Sequence, residues 1–209
     1  MELHYNRIAG QSLERLAALS DGIFAVAMTL LVLDLRVPAG DAIRDEARLG
    51  QALIALAPQL LMYLMSFMTL GIFWVGQQTQ LNFLARGDRD LAWIHIGFIA
   101  SVVLVPFSTS LLAQHTALRL ALLVYWLNIL LLGAFLYFSW GYATRAGLVR
   151  TDAPANVGAA VCRRILLAQA LYALGAALCV LSTYLSIGLI ILVQLNYVLA
   201  PRIRPLYRP

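Results

Sequence analysis

The sequence predicts an all-α integral membrane protein of six transmembrane helices, and three observations predict it. Hydrophobic residues make up 62% of the 209 and charged ones only 12%, with a mean hydropathy of +0.81, too apolar for a water-soluble domain of this length. Charges punctuate uncharged runs at 22–33, 49–85, 91–118, 120–144 and 165–201, against a need of roughly 20 residues per crossing. All fifteen basic residues are arginines, gathered between the runs where they anchor helix ends. The net charge of +5 therefore speaks of topology, and no nucleic-acid partner is expected.

The runs assign the helices in order. The lead of about twenty residues is polar and has no small-residue cleavage site, so the first helix, 17–35, is expected to stay in the chain. The run 49–85 is long, but its tail of Gly76, Gln77, Gln78, Gln80 and Asn82 is polar and is expected to protrude into water, leaving a helix over 51–78. The next two runs give 91–113 and 118–141. The last run holds Ser182, Thr183, Tyr184, Ser186 and Gly188 near its middle, which suits a tight hairpin between helices 162–183 and 186–201. Splitting that run puts both termini inside and places Arg7, Arg15, Arg86, Arg89, Arg145, Arg150, Arg163, Arg164, Arg202, Arg204 and Arg208 in the cytoplasm, with Arg36, Arg44, Arg48 and Arg119 outside. Splitting the second run instead leaves six of the fifteen inside, against the positive-inside rule. The linkers 36–50 and 145–160 are too short to fold alone, so residues 1–209 read as one transmembrane domain with no soluble catalytic unit and no internal repeat.

On the first helix, at about 100° per residue, Val26, Leu30 and Leu33 share one face and Thr29 borders it. Beside them runs a stripe of small residues, Ala18, Gly22, Ala25 and Thr29, the pattern that lets backbones approach closely in lipid. Periodicity leaves two readings open: packing against helices of the same subunit, or copies of this helix around a common axis. Asp21 lies roughly 130° from the aliphatic stripe and so faces neighbouring helices. A charge inside a span costs on the order of 2.5–3.5 kcal/mol on insertion scales and needs partners. Candidate donors are Trp74 and Gln77 on the second helix and Trp93 and His95 on the third. A hydrogen-bonded clamp is favoured over a direct ion site.

Little else carries chemistry. His4 is terminal, His115 lies at an outer helix end, and Cys162 and Cys179 read as packing residues. No catalytic triad, carboxylate pair, structural metal site or cofactor is expected, and no enzyme. There is also no carbonyl-lined potassium filter motif and no broken-helix transporter pattern.

The stretch Arg15-x-x-x-Leu19-Ser20-Asp21, followed by GIFAVAMTLLVLDLRVP, resembles the Arg-x-x-x-Phe-Ser-Asp signature of the transmembrane protein 175 family, the endosomal and lysosomal potassium channels and their prokaryotic relatives. YLMSFMTLGIFW (Tyr63 to Trp74) resembles that family's second helix, and WIHIGFIASVVLVPFSTSLL (Trp93 to Leu112), with Pro106-Phe107-Ser108-Thr109, its third. The resemblance implies a homotetramer of six-helix subunits whose first helices line a central pore, in the plasma membrane of a prokaryote. Carried onto this chain, the aliphatic constriction falls on Val26, Leu30 and Leu33, with Thr29 as the nearby hydroxyl, and potassium passes that neck transiently. The family's Phe is Leu19 here, which keeps packing and loses a ring. Gly76, Gln77 and Gln78 stand where the family often has histidine, so no histidine-based pH response is expected there. Val26 is smaller than the leucine or isoleucine expected, which points to looser selectivity. The expected function is a potassium channel leaky to other monovalent cations. The rivals are a proton channel of the same architecture, a non-conducting scaffold or accessory subunit and, third, a small-molecule exporter.

Overall fold

The computed structural model describes residues 10, 12–36, 43 and 45–199, and these residues are overwhelmingly helical. Ser12 caps helix α1 (Leu13–Leu31) by accepting from the Arg15 amide, and Glu14 complements the dipole in the first turn. The helix ends in a tighter 3-10 turn, Val32–Asp34. Asp45 caps α2 (Glu46–Ala55), and a break at Leu56 leads into α3 (Ala57–Asn82), whose first turn holds Pro58, where a missing N–H costs nothing. Asp88 caps α4 (Arg89–Val103), which breaks at Leu104 before α5 (Val105–Gln114). Then come α6 (Arg119–Arg145), α7 (Val157–Ala177) with a 3-10 extension Leu178–Val180, and α8 (Thr183–Leu199).

Five stretches among the described residues are long and apolar enough to cross a membrane: Leu13–Asp34, Ala57–Asn82, Arg89–Gln114 (α4 and α5 together), Arg119–Arg145 and Val157–Val180. Helix α8 is apolar but has 17 residues.

The structure corrects three sequence expectations. Helix α3 does not stop near residue 78 with a solvated tail: it runs to Asn82, and Gln77 and Gln80 are buried against protein. The third expected helix is two, because Pro106 has no N–H to bond the Val102 carbonyl and its ring crowds that carbonyl. The hairpin in the last run turns at Leu181 and Ser182, so Ser186 and Gly188 lie inside α8. His4, Arg7, Arg44, Arg202, Arg204, Arg208 and the expected helix end at 200–201 lie outside the described residues.

Helix α1 packs on α3, α4 and α5, while α7 packs on α6 and α8 at the far side of the subunit. The main core gathers Phe24, Met65, Phe98, Tyr125, Leu132 and Ile190. A second cluster (Leu84, Leu91, Trp140, Ala143 and Leu148) sits under an antiparallel bridge between Leu84 and Val149. Lipid tails are as apolar as leucine, so close fit and polar contacts, more than removal from water, hold such helices together. At the α4–α6 crossing a Cβ on Gly97 would meet the Phe135 ring at 2.5 Å, and at the α7–α8 crossing one on Gly175 would meet Ile190 at 3.1 Å. In the loop after α6, Arg150 pairs with Asp152 through two hydrogen bonds, of 2.9 and 2.6 Å, which hold the Asp152 carboxyl below its usual range.

Candidate functional site

Helix α1 has two faces. Leu16, Ser20, Phe24, Ala27 and Leu31, spaced by four, four, three and four, are buried against the rest of the subunit. The opposite face carries both stripes read from the sequence, and Ala18, Gly22, Ala25 and Thr29 are all exposed on it. So are Leu19, Val26 (54%), Leu30 (42%) and Leu33 (72%), as is Arg15 at its start. Neither stripe packs inside its own subunit. A Cβ on Gly22 would meet nothing within 4 Å, so this face is open as well as small. The 3-10 turn advances the backbone by about 120° per residue, which shifts Leu33 some 40° from its α-helical position but leaves it beside Leu30. Thr29 Oγ1 donates to the Val26 carbonyl at 2.8 Å, so the hydroxyl's proton is engaged and its oxygen lone pairs face outward.

The buried face is fastened by polar groups at both ends. Ser20, completely buried, accepts from Gln77 Nε2 at 3.3 Å and pairs with His95 Nε2 at 2.6 Å. Next to it, one oxygen of Asp21 accepts from both Trp74 Nε1 and Gln78 Nε2, each at 2.8 Å. At the other end Asp34 accepts from Ser110 Oγ at 3.0 Å, and Gln114 Nε2 donates to the same Ser110 oxygen at 3.1 Å. Helix α1 is thereby tied to α3 and α4 below and to α5 above.

Of the donors expected for Asp21, Trp74 reaches it. Gln77 and His95 serve Ser20 instead, and Trp93 is 61% exposed with no side-chain hydrogen bond among the described residues. The second donor is Gln78, one turn along α3 from Trp74 and on the same face. Trp93 and His95 lie two residues apart, about 200° around α4, so only one of them can face α1. Asp34 was absent from the expected site, although an acid ending an apolar helix was visible as a signal.

A further polar cluster, deep in the subunit, has no counterpart in the sequence reading. Tyr125 Oη meets Thr69 Oγ1 at 2.9 Å and Ser66 Oγ at 3.2 Å, while Thr109 donates to Ser66 at 2.7 Å and Gln194 to Thr69 at 2.6 Å. At the α4–α5 break, Asn128 receives Ser108 Oγ at 3.0 Å and donates to the Ser101 carbonyl at 2.9 Å, so backbone irregularity inside a span is met by a polar side chain. Among the described residues no group of His, Cys, Asp and Glu could hold a metal ion, and the two cysteines are unpaired. The geometry offers an open apolar face set on a rigid base; the one hydroxyl–imidazole contact among the described residues, Ser20 with His95, is buried in the helix packing.

Comparison with known proteins shows the family. Residues 15–106 match the family model of the endosomal/lysosomal potassium channel TMEM175. A potassium channel of Streptomyces collinus is 36% identical over 148 residues, covering 68% of this chain and 70% of that one. The human endosomal/lysosomal proton channel TMEM175 is 30% identical over 112 residues, 50% of this chain and 22% of that one. The crystal structure of a lysosomal potassium-selective channel TMEM175 homolog from Chamaesiphon minutus superposes with a TM-score of 0.77 at 27% identity, covering 91% of this chain and 98% of that one.

Proposed function

We propose that this chain, which belongs to the TMEM175 family of endosomal/lysosomal potassium channels, is a passive, potassium-selective channel leaky to other monovalent cations, and no enzyme. In this reading it is a multi-pass protein of a prokaryotic plasma membrane, with six spans per subunit, α8 being the sixth, and both termini in the cytoplasm. Four copies assemble with their α1 helices around a common axis, and no cofactor takes part.

One observation carries the reading: the face of α1 that bears Val26, Thr29, Leu30 and Leu33 is exposed on the subunit, while the opposite face is fastened to α3, α4 and α5. An isolated helix presenting such a face to lipid has no need of a row of small residues, whereas four helices meeting at an axis do. Val26 to Leu33 spans about 10 Å along the axis. Rings of these side chains form an apolar neck that an ion crosses only partly dehydrated, and such a neck gates by wetting and dewetting. Potassium holds its water less tightly than sodium and meets the lower barrier. With its proton engaged by the Val26 carbonyl, Thr29 presents an oxygen lone pair to the ion or to its waters. Arg15 orders the inner mouth on the same face.

The test is reconstitution of the purified chain in liposomes together with chemical cross-linking. Tetramers that pass potassium faster than sodium support the reading; protein that passes no ion supports a scaffold or accessory role and overturns it. A second reading rests on the likeness to the human relative, which is named a proton channel. A flux driven by a pH gradient and indifferent to potassium would favour it.

A further inference from the structure

On the side of the subunit away from α1, helices α3, α6, α7 and α8 border a narrow, partly open cleft. Its walls are mostly apolar, with Phe73 and Gly76 from α3, Leu136 from α6, and Ile165 and Ala168 from α7, and Thr79, Gln80 and Gln169 add polar groups to them. Gly76 keeps one wall low, since even a Cβ there would only reach ordinary contact with Leu136 at 3.6 Å.

Arg164 stands on the same cleft, its guanidinium carbon 5.6 Å from the centroid of the Tyr197 ring. Both salt bridges among the described residues lie elsewhere, Arg48 with Asp45 and Arg150 with Asp152, so Arg164 has no acidic partner there. It lies seven residues into α7, about 10 Å along the helix axis from Val157, at a depth from which a long side chain snorkels to the headgroup layer. The end of the bundle that it faces is the one carrying Arg86, Arg89, Arg145 and Arg150. Outward on α7, Leu166, Leu167, Leu171 and Leu174 are exposed, as suits a helix bordering acyl chains.

We propose that this cleft binds an anionic phospholipid of the adjoining leaflet, its phosphate paired with Arg164 and one acyl chain lying along Phe73, Leu136 and Ala168. A cation with no acidic partner among the described residues, at the rim of an apolar slot, fits this amphiphile at both ends: the charge recognises the headgroup, and the slot takes the tail. Basic pockets between transmembrane helices hold anionic headgroups on the same physical ground. The Tyr197 ring fixes the guanidinium over the rim and limits its search for the phosphate. The inference needs only that the chain spans a membrane, and it stands apart from which helices line a pore.

Native mass spectrometry of the full chain, titrated with phosphatidylglycerol or with phosphatidylcholine of identical acyl chains, tests it without measuring conduction. The expected result is one phosphatidylglycerol retained per subunit, preferred over phosphatidylcholine by about fivefold, the factor one arginine near a headgroup supplies. Arg164→Gln, at an exposed position that leaves the helix intact, removes the preference, while Arg163→Gln, one residue away and off the cleft, keeps it. Ala168→Trp fills the slot and lowers retention of both lipids. Equal retention of the two lipids by the native chain, or an undiminished preference in Arg164→Gln, overturns the proposal, and so does an equal loss in Arg163→Gln, which would mean diffuse charge attraction only.

Discussion

Asp21 carries the charge that makes α1 improbable as an ordinary span, and its neighbours explain its place. Hydrogen bonds to a charged group contribute about 1.5–3 kcal/mol each, so the two donors Trp74 and Gln78 are of the size needed to offset an insertion cost of about 2.5–3.5 kcal/mol. The carboxylate is turned toward α3 and the aliphatic stripe away from it, which makes Asp21 a positioning residue on the reading proposed above. Asp21→Ala is therefore expected to lower the yield of tetramer on cross-linking and to leave the potassium to sodium flux ratio of the surviving tetramer close to that of the native chain. A variant that assembles fully and changes its ion preference would make Asp21 an ion site and sink this assignment. How far the cluster could be read from the sequence depended on which facts are local. That Asp21 avoids the aliphatic stripe follows from helical periodicity alone. That Gln78 serves Asp21 and Gln77 serves Ser20 depends on how α1 crosses α3, which no spacing within either helix specifies.

At the scale of the elements, hydropathy located the apolar segments well and located their interruptions poorly. Runs between charges found all five long spans because lipid imposes one length on them. The extent of α3 was misjudged because glutamines read as solvent-seeking until a buried partner is known, and Gln80 in fact donates to the Leu136 carbonyl at 3.2 Å. The split between α4 and α5 was present in the sequence as Pro106, whose missing N–H breaks the hydrogen-bond ladder. This break has a consequence for α1. It redirects α5 so that Ser110 meets Asp34, and Asn128 holds the bend from α6. Pro106→Ala restores a donor for the Val102 carbonyl and favours a continuous helix, which carries Ser110 away from Asp34. With cysteines placed at 34 and 110, oxidative cross-linking is expected to be fast in the Pro106 background and several-fold slower in Pro106→Ala. Equal rates in both backgrounds would show that Asn128 and the surrounding packing, not the proline, set the bend.

For the whole molecule, the open stripe on α1 and the fastened face behind it make a prediction about pore width that neither makes alone. In the proposed tetramer the fastenings fix how far each α1 leans toward the axis, so a shortened side chain on the stripe widens the proposed neck instead of letting the helices close in. Leu30→Ala removes three carbons from each of four proposed copies, and Leu33→Ala does the same one turn further along. A wider apolar ring stays wet for a larger fraction of the time and lets an ion keep more of its water. Both effects raise flux, and the second erodes the advantage that potassium takes from its weaker hydration. Each substitution is thus expected to increase potassium uptake into liposomes and to bring the potassium to sodium ratio toward one. The effect should be larger at Leu30, which sits within the regular helix, than at Leu33, which stands on the 3-10 turn and is the more exposed of the two. Thr29→Ala, which leaves the aliphatic rings untouched, separates the two contributions: a fall in selectivity at unchanged flux assigns ion contact to the hydroxyl oxygen, and an unchanged ratio leaves selectivity to the width of the neck. Currents indifferent to both leucines would take the neck away from α1.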